Sequence, residues 1–321
     1  MGGGGSYSGP SSRTTEEAEK TFKSAVEEVE QAKFEIPSEE QRASYEADLN
    51  SYFQDLLSDF NNRDVDQINT HLGTIKDALN KENIGSIYLI YGGSIKKHTY
   101  VDGLSDVDIL AIIDNTALVG ASPKQVLEYF ANRLQERLPN TEIVIGKLAV
   151  TVKFSDGHKI QVLPAITTTT GNHISNVDGT EWSAVIKPDK FASKLTSINQ
   201  SNSGKVVPVI KLYKAINARS PEDAQLSGYH IESLAIEAFK NYHGSLSYKA
   251  MLSHFVEYAS KAVLNPIKDR TGQSIHVDDY LGDSESNDRR RAGATLESIA
   301  ANMRLANSEA SLEKWKELVE E

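Results

Sequence analysis

Two short polar motifs stand at the ends of apolar segments, and their residue types suit phosphoryl transfer. Gly93-Ser94 follows the strand-like run at 86–91, and Asp106 and Asp108 lead into a second apolar run. Side chains alternate along a strand, so the two carboxylates share one face. They repel each other unless a cation such as Mg²⁺ neutralises them. A Gly-Ser turn can bring backbone N–H groups and a hydroxyl to a phosphate, so the two motifs together predict a metal-nucleotide site.

Either motif alone is weak evidence, because D-x-D pairs are common on exposed strands and Gly-Gly-Ser is usually only a turn. Together, Gly93-Ser94 and Ser105-Asp106-Val107-Asp108 resemble the signature of the DNA polymerase β-type nucleotidyltransferases. The resemblance is greatest to the branch that holds oligoadenylate synthases, cGAS and the bacterial CD-NTases of CBASS anti-phage defence. Thr99 and Ser105 also fit the bacterial pattern, and the similarity extends over residues 88–305.

The resemblance implies an enzyme that joins nucleoside triphosphates into a cyclic or linear oligonucleotide second messenger. Asp106 and Asp108 would hold two Mg²⁺ (or Mn²⁺) ions, and Gly93, Ser94 and Thr99 would belong to the nucleotide site. The product would activate a separate effector protein. The implied fold is α/β (α+β), with a mixed sheet in a polymerase β-like first lobe and a helical second lobe.

We predict three regions along the chain. Residues 1–37 form a Gly/Ser-rich flexible tail and a surface helix, residues 38–175 the nucleotidyltransferase lobe, and residues 176–321 the helical nucleotide-binding lobe. Helices are expected from Ser38 to about 60 and over 64–79, and the resemblance implies that both brace the catalytic sheet.

Local sequence signals place several more elements. Ser122-Pro123 predicts a helix start, and Asp156-Gly157 predicts a tight hairpin turn between two strands. The polar segment 167–180 is expected to be a loop that joins the lobes or borders the site.

One position departs from the family pattern. Such enzymes carry a third carboxylate on a later strand, in the order apolar, Asp or Glu, apolar, apolar, Pro. The matching segment here is Ile160-Gln161-Val162-Leu163-Pro164, which has a neutral glutamine where the carboxylate belongs. Glutamine cannot accept a proton at ordinary pH, and losing one catalytic group often costs roughly 3–5 kcal/mol of transition-state stabilisation.

Three explanations of Gln161 are open. It could be an introduced substitution that traps substrate, which its isosteric relation to Glu favours. It could be native, in a pseudo-enzyme or a slow enzyme. The third explanation, that Asp156 or Glu142 supplies the missing carboxylate, is the weakest, since Asp156 lies in the turn and Glu142 on an earlier strand.

The second lobe contributes further candidates. Lys211 and Lys214 lie three apart on an apolar helix, and the resemblance implies that one of them reaches the nucleotide phosphates, with Lys211 preferred. Tyr229 is a candidate to stack on a nucleobase, although a core position is about as plausible. His230 and Glu232 form an H-x-E pair, but the chain has no cysteine for a zinc deaminase site, so both are expected to be structural.

Composition narrows the function classes. The chain has 321 residues, no cysteine and a formal net charge of -11. The negative net charge argues against electrostatic binding of extended nucleic acid over a large surface. The absence of cysteine excludes disulfides. No apolar run has membrane-spanning length and no signal peptide is evident, so we expect a cytoplasmic protein.

Two other functions stay open from the sequence. A toxin-like transfer of nucleotides to tRNA or to a protein would need a basic surface for an RNA acceptor. A catalytically dead nucleotide-binding sensor or scaffold is supported by Gln161.

Overall fold

The computed structural model of this chain combines a mixed sheet with two groups of helices. It describes residues 37–61, 65–80, 86–91, 97–101, 107–114, 118, 120–176, 178–183, 185–186, 188–269 and 276–320. None of the helices in these ranges has both the length and the apolar character needed to cross a lipid bilayer.

Nine α-helices lie within the described residues: α1 Glu39–Asp59, α2 Val65–Asn80, α3 Pro123–Arg137, α4 Pro188–Ser201, α5 Val206–Arg219, α6 Gly228–Phe239, α7 Tyr248–Ala262, α8 Asn287–Ser308 and α9 Leu312–Val319. Short 3-10 turns lie at Glu222–Ala224 and Asp279–Leu281.

The six described strands form one sheet. They are β1 Ser86–Tyr91, β2 Val107–Asp114, β3 Glu142–Ile145, β4 Val150–Lys153, β5 Lys159–Thr168 and β6 Gly171–Ile174. The order is β1-β2-β5-β4-β3, with β6 paired to β5. Strands β2 and β5 are parallel, and every other pair is antiparallel. The predicted mixed sheet is therefore confirmed.

One face of the sheet is covered by α2 and α3. Val107 and Ile109 from β2 and Ile160 and Val162 from β5 are buried in the core between them. Alternation along the strands then places Asp108 and Gln161, which lie between these residues, on the opposite face. Burial of the apolar positions thus decides where the polar ones point.

The helical core is separate and larger, and it contains most buried residues of α4 to α9. Helix α1 also belongs to this core, through Tyr45, Leu49, Phe53 and Leu57. The expectation that both early helices brace the sheet is correct for α2 and wrong for α1. The apolar stripe of α1 could be identified from its helical spacing, but the sequence does not show which core it packs against.

The predicted helix starts are confirmed by their capping contacts. Ser38 and Ser122 each accept a hydrogen bond from the backbone N–H of the residue three positions on, and a glutamine side chain bonds back to each cap. Ser227 caps α6 in the same way, by accepting a hydrogen bond from His230 N. These caps satisfy N–H groups that would otherwise lack partners at the start of a helix.

The segment 167–180 is not the simple loop that its polar composition suggests. Strand β5 continues to Thr168, and the chain turns back through Gly171 into β6. Within β6, His173 Nδ1 forms a hydrogen bond with the carbonyl oxygen of Ser183 at 2.7 Å. Backbone pairing thus overrides a sequence in which Thr and Asn give no apolar alternation.

Candidate active site

The central feature of the candidate site is a register pair between parallel strands. Asp108 of β2 lies directly beside Gln161 of β5. Neighbouring strands are about 4.8 Å apart, and paired residues project from the same face of a sheet. Both side chains are partly exposed. A carboxylate and an amide therefore stand side by side at the start of β2.

Three of the predicted site residues cannot be placed. Gly93, Ser94 and Asp106 lie outside the described residues, so their roles stay predictions. Asp106 is two positions before Asp108 along the chain.

The rival positions for the third carboxylate lie elsewhere in the sheet. Glu142 of β3 stands beside Lys153 in register and forms an ion pair with it at 2.7 Å. Asp156 lies in the turn between β4 and β5 and contacts His71. Neither residue is paired with Asp108, whereas Gln161 is.

A buried carboxylate connects the two groups of elements next to this pair. Glu232 of α6 is 1% exposed and accepts hydrogen bonds from Lys97 and Thr99, both from the segment between β1 and β2. Lys214 of α5 donates to Glu232 at 3.3 Å and to the carbonyl oxygen of Thr99 at 2.9 Å. We call Lys97, Thr99, Lys214 and Glu232 the Glu232 cluster. Its Thr99 hydroxyl is wholly buried and serves as a link between segments.

The electrostatics of this cluster depend on burial and on Asp108. Burial lowers the pKa of the Lys214 ammonium, while the charges of Glu232 and Asp108 oppose that shift. Burial alone would raise the pKa of the Glu232 carboxyl, but Lys97 and Lys214 outweigh it and hold the pKa below its usual value. The cluster thus combines two lysines with one carboxylate, and Lys214 lies close enough to Asp108 for their charges to interact.

Tyr229 lies beside the Glu232 cluster at the start of α6. Its ring centroid is 4.8 Å from that of Phe191, and the Lys97 ammonium is 5.5 Å from the Tyr229 ring centroid. Its hydroxyl donates to the buried Asp269 at 3.0 Å. The ring is partly buried and already has an aromatic neighbour, so a stacked base would have to use its remaining surface.

The two candidate lysines of α5 have different surroundings. Lys211 donates a hydrogen bond to the Asn61 side chain, just after α1. Lys214 belongs to the Glu232 cluster, and a Cβ at Gly228 would lie 3.6 Å from its ammonium. The start of α6 therefore approaches Lys214 closely at a residue without a side chain.

Comparisons with known proteins show which family and which fold this chain resembles. Residues 48–199 match the family model of the Second Messenger Oligonucleotide or Dinucleotide Synthetase domain, SMODS. A cyclic AMP-AMP-AMP synthase of Acinetobacter sp. is 25% identical over 240 residues, which cover 68% of each chain. The chain is therefore similar to the bacterial CD-NTase family. Members of this family are nucleotidyltransferases that synthesise cyclic oligonucleotides.

Two solved structures show how far the CD-NTase fold extends. Escherichia coli MS115-1 CdnC with ATP has a TM-score of 0.63 at 15% identity, over 89% of this chain and 98% of that one. Vibrio cholerae DncV cyclic AMP-GMP synthase, with nonhydrolyzable GTP, has a TM-score of 0.57 at 11% identity, over 73% of this chain and 68% of that one. The fold implied by the resemblance is therefore confirmed, and the match over residues 48–199 supports the resemblance itself.

Several residues of the candidate site could not be identified from the sequence. Lys97 and Phe191 were not singled out, and Glu232 was considered only as a structural helix residue. The Lys96-Lys97 pair shortly after Gly93-Ser94 was an available signal, since it places positive charge near the predicted phosphate-binding turn in the sequence. No local signal joins Lys97 to Glu232, which is 135 residues further along the chain.

Proposed function

We propose that this CD-NTase joins nucleoside triphosphates into a cyclic or linear oligonucleotide at a site around Asp106, Asp108 and position 161. A 2′- or 3′-hydroxyl of one nucleotide attacks the α-phosphate of another, and diphosphate leaves. The register that sets Asp108 beside Gln161, with Lys214 nearby, is the main support. The match to the SMODS family adds to it.

The donor atoms fit Mg²⁺ or Mn²⁺. Asp108 is partly exposed, and together with Asp106 it offers the carboxylate oxygens that hard divalent cations prefer. When bound, such ions neutralise phosphate charge and favour ionisation of the attacking hydroxyl. The amide oxygen of Gln161 adds a neutral donor where a charged one would bind more strongly.

Within this proposal, residues of both lobes bind the nucleotide. Gly93-Ser94 contacts its phosphates, and the lysines of the Glu232 cluster attract them. We assign this electrostatic role to Lys214 before Lys211, because Asp108 influences the pKa of Lys214. Tyr229 contacts a base, while Thr99 supports the site through Glu232.

Gln161 makes the activity of this chain slow or absent. It has no negative charge to hold the metal that activates the attacking hydroxyl, and it cannot accept a proton. Nucleotide binding depends mainly on Asp106, Asp108 and the cations of the Glu232 cluster. The second candidate function, a nucleotide-binding sensor or scaffold without catalysis, is favoured by the same neutral residue.

The proposed chemistry also indicates a biological role and a partner for this protein. A diffusible oligonucleotide needs a separate effector that recognises it, and anti-phage signalling in the cytoplasm is the role we propose. The net charge of -11 disfavours extended nucleic acid as an activator and tRNA as an acceptor.

Product analysis tests the proposal. The chain with Gln161, Gln161→Glu and Gln161→Asp are each incubated with four labelled nucleoside triphosphates and Mg²⁺ or Mn²⁺, and phosphatase-resistant products are separated. We expect the Glu or Asp variant to yield an oligonucleotide well above the level of the parent. If all three proteins bind nucleotide and none makes a product, the sensor function replaces the synthase.

A further inference from the structure

Three potential metal ligands lie together beside the turn between β4 and β5, and the proposed synthase site does not include them. His71 of α2 and Asp156 and His158 of the β4–β5 turn each present one ligand atom, and these atoms all lie within 4.8 Å of one another. His71 is 8% exposed, and the other two side chains are partly accessible. Two separate segments of the chain thus converge on one point.

The two imidazoles flank the two oxygens of a single carboxylate. His71 Nε2 is 2.7 Å from Asp156 Oδ2, and His158 Nδ1 is 3.2 Å from Asp156 Oδ1. The His71 ring stacks on Phe154 with a centroid distance of 3.7 Å and an interplanar angle of 18°. Gln67 donates its side-chain amide to Asp156 Oδ2 at 3.1 Å. Stacking and hydrogen bonding therefore fix the orientation of these ligands.

Hydrogen bonding between histidine and aspartate accounts for His71 but not for His158. The Nδ1 atom of His158 is almost fully shielded from solvent, and its contact with Asp156 Oδ1 at 3.2 Å does not have the geometry of a hydrogen bond. A shielded polar atom that is poorly aligned with its neighbour recovers only part of the interaction with water that it has lost. A bound cation would resolve this, since it would accept the lone pair of that nitrogen.

We propose that His71, Asp156 and His158 bind one divalent transition-metal ion, with Zn²⁺ as the preferred ion. Two imidazole nitrogens and one carboxylate oxygen suit Zn²⁺ better than Mg²⁺, which prefers oxygen ligands. Zinc bonds of about 2.0–2.2 Å in a tetrahedral arrangement separate ligand atoms by about 3.3 Å. The 3.2 Å distance between His158 Nδ1 and Asp156 Oδ1 already matches this value. The 2.7 Å contact between His71 Nε2 and Asp156 Oδ2 is shorter and would lengthen when the ion binds.

The ion would fasten α2 to the β4–β5 turn. His158 comes directly before β5, and Gln161 lies on that strand beside Asp108. Zinc at this place would hold the start of β5 against the helix that covers the sheet. The site is built from residues separate from Asp108 and Gln161, so it does not depend on the proposed synthase activity.

Zinc binding by the tag-free full-length chain tests the proposal. Metal is first removed with a chelator, and Zn²⁺ is then titrated in competition with a chromophoric chelator. We expect the parent to bind one Zn²⁺ ion per chain tightly. The affinity of Asp156→Asn and of His158→Gln for Zn²⁺ should be at least 10-fold weaker. His243→Asn is the matched control, because His243 is an exposed histidine elsewhere in the chain. Asp108→Asn should also keep the tight equivalent.

A second measurement guards against misfolded variants. Circular dichroism should be the same for all proteins without metal. Co²⁺ should give the intense visible bands of tetrahedral coordination in the parent, His243→Asn and Asp108→Asn, but not in Asp156→Asn or His158→Gln. Zn²⁺ should raise the Tm of the parent but not that of His158→Gln. The proposal is overturned if the parent binds no tight equivalent, or if Asp156→Asn and His158→Gln bind Zn²⁺ as the parent does.

Discussion

In the proposed synthase site, Gln161 is a neutral side chain that would separate nucleotide binding from catalysis. Its position beside Asp108 gives it the same access to a bound metal that a carboxylate would have. The amide lacks the charge that would hold the metal and activate a hydroxyl. We therefore expect nucleotide binding and turnover to respond very differently to substitution at this position.

A second residue-scale effect concerns His230, which is completely buried. Its Nδ1 is 3.0 Å from the Tyr280 hydroxyl, and Nε2 is 3.5 Å from Asp278. Burial lowers the pKa of His230 to about 4; Asp278 opposes this shift and Arg289 adds to it. The folded protein thus keeps this imidazole neutral at pH values where the unfolded chain is protonated.

The first prediction concerns the pH dependence of stability. The unfolded chain binds a proton at His230 below pH 6.5 and the folded chain only near pH 4, so acid favours unfolding across this window. We expect His230 to lower the free energy of unfolding by about 2 kcal/mol between pH 7.5 and pH 5. Urea unfolding should show a shallower pH dependence for His230→Asn, whereas His243→Asn should keep that of the parent. Equal pH dependence in all three would contradict the assignment.

At the scale of elements, the β5–β6 hairpin depends on Gly171. This residue has φ of +138°, and an added Cβ would lie 2.7 Å from Val185 Cγ1. Both the backbone and the neighbouring side chain therefore resist any larger residue.

The second prediction compares two glycine substitutions. Gly171→Ala should lower the free energy of unfolding by about 1–3 kcal/mol, because it combines backbone strain with a clash. Gly73→Ala, at an exposed position of helix α2 with nothing within 4 Å of the new Cβ, should raise it by about 0.5–1 kcal/mol. Chemical denaturation of both variants tests the signs, and a loss at Gly73 equal to that at Gly171 would refute this account.

The third prediction concerns the Glu232 cluster. Glu232→Gln leaves Lys97 and Lys214 buried near each other without a carboxylate, so we expect a loss of about 3–5 kcal/mol in the free energy of unfolding. Glu142→Gln removes an exposed pair with Lys153 and should cost less than about 1 kcal/mol. Losses of similar size in the two variants would show that the cluster does not join the elements as described.

Local signals predicted the elements better than the site. Ser38 and Ser122 could be identified as caps because a cap and its partners lie within four residues. Helix α1 could not be assigned to its core, and β6 was missed, because both depend on pairing between distant segments. Glu232 was missed for the same reason, since it meets Lys97 only after the chain folds.

At the scale of the whole molecule, a sheet core and a helical core meet at the candidate site. The Glu232 cluster contains residues of the β1–β2 connection and of helices α5 and α6. Asp108 lies on the sheet side and Lys214 on the helical side. A triphosphate between them would contact both, so nucleotide binding and the joining of the lobes should be coupled.

The central claim is that Asp108 and position 161 act together on nucleoside triphosphates. The most direct measurement is the rate of diphosphate release from labelled triphosphates by the parent, Gln161→Glu, and Asp108→Asn combined with Gln161→Glu. We predict that Gln161→Glu is about 100-fold faster than the parent, as expected for roughly 3 kcal/mol of transition-state stabilisation, and that adding Asp108→Asn abolishes the gain. A Gln161→Glu variant that binds nucleotide yet is no faster than the parent, or a double variant that keeps the full rate, would contradict the claim.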